Sequence, residues 1–169
     1  MVENEKEFPL DEHKKFAIEL FNYAWGLHDK TDRTQNESDE MIFAANASAY
    51  HWYKLKGHID ETRWLQSTPR SHNQLANVYI ALNRAEPALY HANRCVELCK
   101  ERGIVDFDIA FGYECLARAY NLTGDTVNRD LNLRFAHDAG GGISGEDDRK
   151  FFLSELKKAP GYSEIFADA

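Results

Sequence analysis

The sequence predicts an all-α protein of antiparallel helical hairpins, about seven helices in all, stacked as a short array. Three observations carry this. Apolar residues recur at three- and four-residue steps through most of the chain, which is the period of an amphipathic helix. No stretch shows sustained apolar–polar alternation bounded by turn residues, so strands are not expected. Leu75-Ala76-Asn77-Val78-Tyr79 is echoed 41 positions later by Leu116-Ala117-Arg118-Ala119-Tyr120, and self-similarity at such a period marks stacked supersecondary units.

The elements follow in order. Phe16, Leu20, Phe21, Ala24 and Leu27 share one helical face, so residues 10–28 read as helix 1, with Pro9 just before it. Asp29 to Asp39 is polar and reads as a loop. Ser38 is the expected N-cap of helix 2, which runs to about Lys56 and stops at Gly57. Its Ala44, Ala45, Ala47 and Ala49 permit close helix approach. Residues 58–67 fit either a short helix around Trp64 and Leu65 or an extension of helix 3. Thr68-Pro69 reads as an N-cap followed by proline at the first helical position, so helix 3 is expected over 69–83. Asn83-Arg84 turns the chain into helix 4, 85–102, which tolerates Pro87 in its first turn and ends at Gly103. Asp106 or Asp108 caps helix 5, which runs to Leu122. Gly124-Asp125 turns into helix 6, 126–138. Ser144 caps helix 7, about 145–158, with Asp147 and Asp148 favouring its dipole and Pro160-Gly161 ending it. Short turns after helices 3 and 5 require antiparallel hairpins.

The whole of 1–169 is read as one domain: a helix pair at 10–57, hairpins at 69–102 and 106–139, and a capping helix at 145–158. Length and a 43% apolar composition suffice for a core. The net charge of −8 argues against nucleic acid or an anionic membrane as partner, because both need a basic face. No apolar run approaches the ~18 residues of a membrane span. The acidic start, Met1 to Glu7, lacks an apolar signal core. A cytoplasmic location is therefore expected, with Cys95, Cys99 and Cys115 as free thiols. The Asn-x-Ser/Thr triplets at Asn36, Asn46 and Asn121 are then chance matches.

Residues 69–102 and 110–139 resemble tetratricopeptide repeats, the helix–turn–helix units of about 34 residues. Leu75, Ala76 and Tyr79 match the large, small and aromatic positions of that family's first helix, as do Leu116, Ala117 and Tyr120. Gly124 supplies the glycine often found at the turn, where the other hairpin has Asn83. Ala88, Cys95 and Ala136 stand at small-residue positions of the second helix. Arg129 departs from the pattern, which implies that helix 6 is rotated or offset. More loosely, Ala47-Ser48-Ala49-Tyr50-His51-Trp52 and Arg84-Ala85-Glu86-Pro87-Ala88-Leu89 look like a family of uncharacterised bacterial proteins with a TPR-like fold.

That resemblance implies a concave groove lined by the first helix of each pair. The partner-facing positions would be Arg70, Asn73, Asn77, Glu114, Arg118 and Asn121, polar groups able to bond a peptide backbone or carboxylate. Family members that grip C-terminal carboxylates use Lys, Asn and Arg there. Asn77 matches such an Asn, but the lysines are missing and Glu114 intrudes. The competing reading of these six residues is a plain solvated helix face. If Arg118 is surface, truncating it changes stability by no more than about 1 kcal/mol.

Other constellations are read against their structural alternatives. Gly140-Gly141-Gly142-Ile143-Ser144-Gly145 fits G-x-G-x-x-G formally, but a helix precedes it where a dinucleotide site needs a strand, and Glu146 stands where a P-loop needs Lys. It is read as a flexible helix-to-helix linker, and no cofactor is expected. His91, Cys95 and Cys99 form a stripe of soft ligands on helix 4, but packing cysteines explain it and no metal is expected. Pairing of helices 1 and 2 would bring His51 to the level of Lys15, near His13. A pocket around His13, Tyr50 and His51 could then bind or hydrolyse a small molecule. The alternative is an interhelical hydrogen bond from His51, with the aromatics of Tyr50 to Tyr53 filling the core; no nucleophile is placed beside it, and nothing marks Ser48 as activated. Any of Trp25, Trp52 and Trp64 emerging in one patch would point to a partner surface or a homodimer. The leading expectation is a non-catalytic module that holds a protein or peptide partner in the helix 3/helix 5 groove, with the His51 pocket and a structural homodimer as alternatives.

Overall fold

Helix follows helix from one end to the other of the computed structural model, which describes residues 9–167; the acidic start at 1–7 lies outside them. The elements are α1 (Leu10–His28), α2 (Gln35–Lys54), α3 (Glu61–Ala81), α4 (Ala85–Glu101), α5 (Phe107–Thr123), α6 (Thr126–Gly141), α7 (Glu146–Leu156) and the one-turn α8 (Tyr162–Ile165). Among the described residues all eight regular elements are helices, one more than expected. Each hairpin packs on the next. α1 and α2 share a core with α3 through Ala24, Met41, Ala45, Leu75 and Val78. α3 and α4 share one with α5 through Ala76, Ala92, Val96, Cys115 and Leu116. α5 and α6 share one with α7 and α8 through Ala110, Leu133, Phe152 and Tyr162. The core is thus a row of neighbouring contacts, the build of a helical repeat. Among the described residues no helix is long and apolar enough to cross a membrane.

The echo extends further than its helices. Asn83 has φ 56 and Gly124 φ 76, both left-handed, and the two lie the same 41 positions apart. The amide after each reaches back to the equivalent tyrosine carbonyl, Arg84 N to Tyr79 O at 2.8 Å and Asp125 N to Tyr120 O at 3.2 Å. These are matching Schellman turns, and Asn is the residue besides Gly that enters this conformation most readily. Asn83 therefore does the work expected only of Gly124.

Several boundaries move. α2 starts at a capping box rather than at Ser38: Thr34 Oγ1 accepts from Glu37 N while the Glu37 carboxylate accepts from Thr34 N at 2.8 Å. Ser38 sits inside the helix and donates to Thr34 O. Residues 61–68 belong to α3, which Asp60 caps by accepting from Arg63 N at 2.9 Å. Thr68 is thus not an N-cap, and Pro69 lies buried in mid-helix. Proline there leaves the carbonyl four residues back without its donor. That carbonyl is Leu65 O, and it accepts instead from Arg102 Nη1 at the end of α4. Arg102 also lies over the Trp64 ring at 5.1 Å, and Lys56 at 5.2 Å.

The glycine tract is not a flexible linker. α6 continues through Gly140 and Gly141. A Cβ on Gly140 would lie 2.3 Å from Phe152 Cε1, so the missing side chain is what lets α7 pack. Gly140→Ala is expected to destabilise by about 1–3 kcal/mol, the usual cost of overpacking; urea denaturation measures it, and an unchanged midpoint would mean the buried ring can retreat. α7 is capped by Gly145, while Ser144 Oγ donates to Asp106 Oδ2 at 2.9 Å. Arg129, the departure from the repeat pattern, has its side chain 11% exposed and pairs with Asp130 and with Glu164 of α8.

Candidate functional site

The first helix of each hairpin presents one stripe to a shared cavity of about 1060 Å³. On α3 the stripe is Gln66, Arg70, Asn73, Asn77 and Ile80; on α5 it is Phe107, Phe111, Glu114 and Arg118. Steps of three and four keep each set on one side of its helix. α1 adds Phe21, Trp25 and His28, and α7 adds Asp148, Phe151 and Glu155. Five of the six residues expected to face a partner line this cavity. Asn121, one turn beyond Arg118, is not among the residues that line it.

The polar lining is tied down. Arg70 Nε donates to Asp108 Oδ1 at 2.7 Å, and Lys158 Nζ pairs with Glu155 Oε1 at 2.6 Å. Arg118 Nε donates to Glu114 one turn earlier. Glu114 is 3% exposed, and burial pushes its carboxyl above the ordinary glutamate range even with Arg118 opposing. Asn73 Nδ2 and Asn77 Nδ2 donate to Cys115 Sγ at 3.2 and 3.0 Å. The amide donors expected to meet a peptide are therefore turned into the α3/α5 seam. Burial drives the Cys115 thiol well up, so it stays protonated and unreactive.

The walls are aromatic. Phe107 and Phe111 lie 4.6 Å apart by ring centroid, and Phe151 lies 6.5 and 6.2 Å from them. Phe151 is 54% exposed. Trp25 packs edge-on against Phe21 at 6.3 Å. The sequence offers Trp25 only as one of three tryptophans that could mark a partner surface and Asp108 only as a helix cap, and it does not single out Phe151. The spacing of Phe21 and Trp25 was a usable signal, but the arrival of α7 opposite α5 was not.

The second expected site resolves differently. His13 Nδ1 lies 2.7 Å from His51 Nδ1, across α1 and α2 as pairing implied. Neither histidine nor Tyr50 lines the cavity described. The Tyr50 to Tyr53 stretch does not fill the core: Tyr50 and Tyr53 are exposed, and Trp52 is half-buried beneath Arg63. Ser48 is buried and donates to Ala17 O at 2.7 Å, which closes the α1/α2 seam. None of Trp25, Trp52 and Trp64 is fully exposed; the exposed aromatics of α2 are Phe43, Tyr50 and Tyr53.

The helix 4 stripe splits. Cys95 and Cys99 are free thiols in the core. His91 turns to α3, where its Nδ1 lies 2.9 Å from His72 Nδ1 and its ring stacks on Tyr79. Among the described residues no group of three or more His, Cys, Asp or Glu is placed to hold a metal ion. No family model, curated protein or solved structure matches the chain.

Proposed function

We propose that this chain is a non-catalytic, TPR-like interaction module that holds a segment of a partner protein in the groove of α1, α3, α5 and α7. The observation that carries the reading is the shared stripe: four helices far apart in sequence aim one face each at a single cavity of about 1060 Å³. Stacked hairpins produce such extended concave surfaces and use them for binding. Ion-paired polar groups fix the floor, and partly exposed rings such as Phe151 supply anchors without a placed nucleophile or base. The acidic balance favours a protein over a nucleic acid, and a cytoplasmic setting fits three free thiols.

Arg118 is a poor probe of this groove because its loss exposes Glu114 to an unpaired burial. Phe151→Ala is the clean one, and Tyr53→Ala, outside the cavity, is its control. Both variants are expected to keep stability within about 1 kcal/mol. In affinity capture from native cytosol with mass-spectrometric readout, Phe151→Ala should lose partners that Tyr53→Ala retains. Identical partner sets from both would end the groove reading.

A further inference from the structure

The charges of the groove do not cancel. Its three strong bases are each paired with a lining acid: Arg70 with Asp108, Arg118 with Glu114, and Lys158 with Glu155. Three lining acids remain, Asp29, Asp106 and Asp148, and among the described residues no Lys or Arg forms an ion pair with any of them. Asp29 meets His28 at 3.0 Å, and Asp106 caps α5 and accepts from Ser144. Two of the three are near the aromatic trio in sequence, Asp106 beside Phe107 and Asp148 one turn before Phe151. Aromatic walls in a cavity that also holds carboxylates without a paired base attract a cation whose neighbours are apolar, and ring faces add to that attraction.

We infer that the α5/α7 end of the groove binds a basic peptide segment, with an apolar anchor on Phe111 and Phe151 and a flanking Lys or Arg against Asp106 and Asp148. This rests on the groove reading above and names the partner's chemistry. With six lining acids against three strong bases, each of them already beside an acid, the groove favours a basic segment over an acidic or carboxylate-terminated one.

The test uses the full chain with three labelled probes: a lysine/leucine peptide, its glutamate/leucine counterpart, and spermine. Affinity is followed by fluorescence anisotropy at low and physiological salt. The expected result is binding of the basic peptide alone, weakened about tenfold by Phe151→Ala and about threefold by Asp148→Asn. Glu86→Gln removes the same charge from an exposed site outside the cavity and should leave affinity unchanged. Equal weakening by Glu86→Gln, or indifference to Phe151→Ala, would show attraction by net charge alone and overturn the inference. So would spermine binding as tightly as the peptide, or the basic peptide failing to bind. Preference for the glutamate peptide, lost in Phe151→Ala, would overturn the inference while leaving the groove reading intact.

Discussion

Arg118→Ala is expected to lower folding stability by about 3–5 kcal/mol, the usual cost of removing one partner from a buried ion pair. Glu114 is 3% exposed, and the Arg118 guanidinium bonds it through Nε from one turn along α5. Without the arginine, the carboxylate is left buried with no compensating charge. The pair itself contributes little relative to an apolar replacement, so Glu114→Leu with Arg118→Met should recover more than half of the loss. The pH dependence follows from the sign of the shift. Burial already raises the Glu114 carboxyl, and losing Arg118 removes the influence that holds it down. A carboxyl raised in the folded state is fully compatible with folding below its unfolded pKa and costs stability as pH rises through the folded value. The gap between Arg118→Ala and the parent should therefore be widest at neutral pH and shrink towards the ordinary glutamate range. Urea denaturation of the three proteins across that range measures it. A cost near zero at pH 7, or a double variant as unstable as the single, would show that the pair is solvated.

That outcome also decides how this helix is read from sequence. The resemblance to tetratricopeptide repeats implies that Arg118 and Glu114 face a groove, and both line the cavity. It could not tell a solvated pair from a buried one, because burial depends on elements distant in sequence; Glu155 of α7, which lines the same cavity, lies 37 or more positions away. The same limit governs Asn73 and Asn77: their stripe is local, but the Cys115 sulfur that takes their donors belongs to the next hairpin. Pro69 is the sharpest case. Proline after threonine reads as a helix start, since an unpaired carbonyl is costly in mid-helix. Arg102, from the far end of α4, bonds that carbonyl and removes the objection. The bounds of α1 and the Asn83 and Gly124 turns were legible because every determinant lies within a few residues. The Thr34–Glu37 capping box is equally local, and Ser38 is a competing N-cap residue four positions on.

Acid should unfold this protein earlier than its carboxylates alone require, because of the histidine pair between α3 and α4. His72 Nδ1 and His91 Nδ1 lie 2.9 Å apart, a hydrogen bond in which one ring must accept and therefore be neutral. Both are pushed down to about 4: His91 by burial, and His72 by burial and then by His91, Arg94 and Arg102, with Glu97 opposing. In the unfolded chain both titrate near the ordinary histidine value, about 6.5. Between those values the unfolded chain binds more protons than the folded one, so stability falls with falling pH. The contribution is complete above about pH 6.5 and lost as pH drops through about 4. Solvent reaches both rings in part, so the loss is about 2–4 kcal/mol for the pair rather than the sum of two full shifts. His51, also lowered by burial and by His13, adds a slope of the same sign. A His72→Gln/His91→Gln variant keeps an amide pair across the seam but titrates nothing there. Its stability, from urea denaturation, should be flatter than the parent's between pH 6.5 and 5, above the range where most carboxylates protonate. A variant slope as steep as the parent's would place the acid sensitivity elsewhere, in His51 or in the ion pairs of the groove.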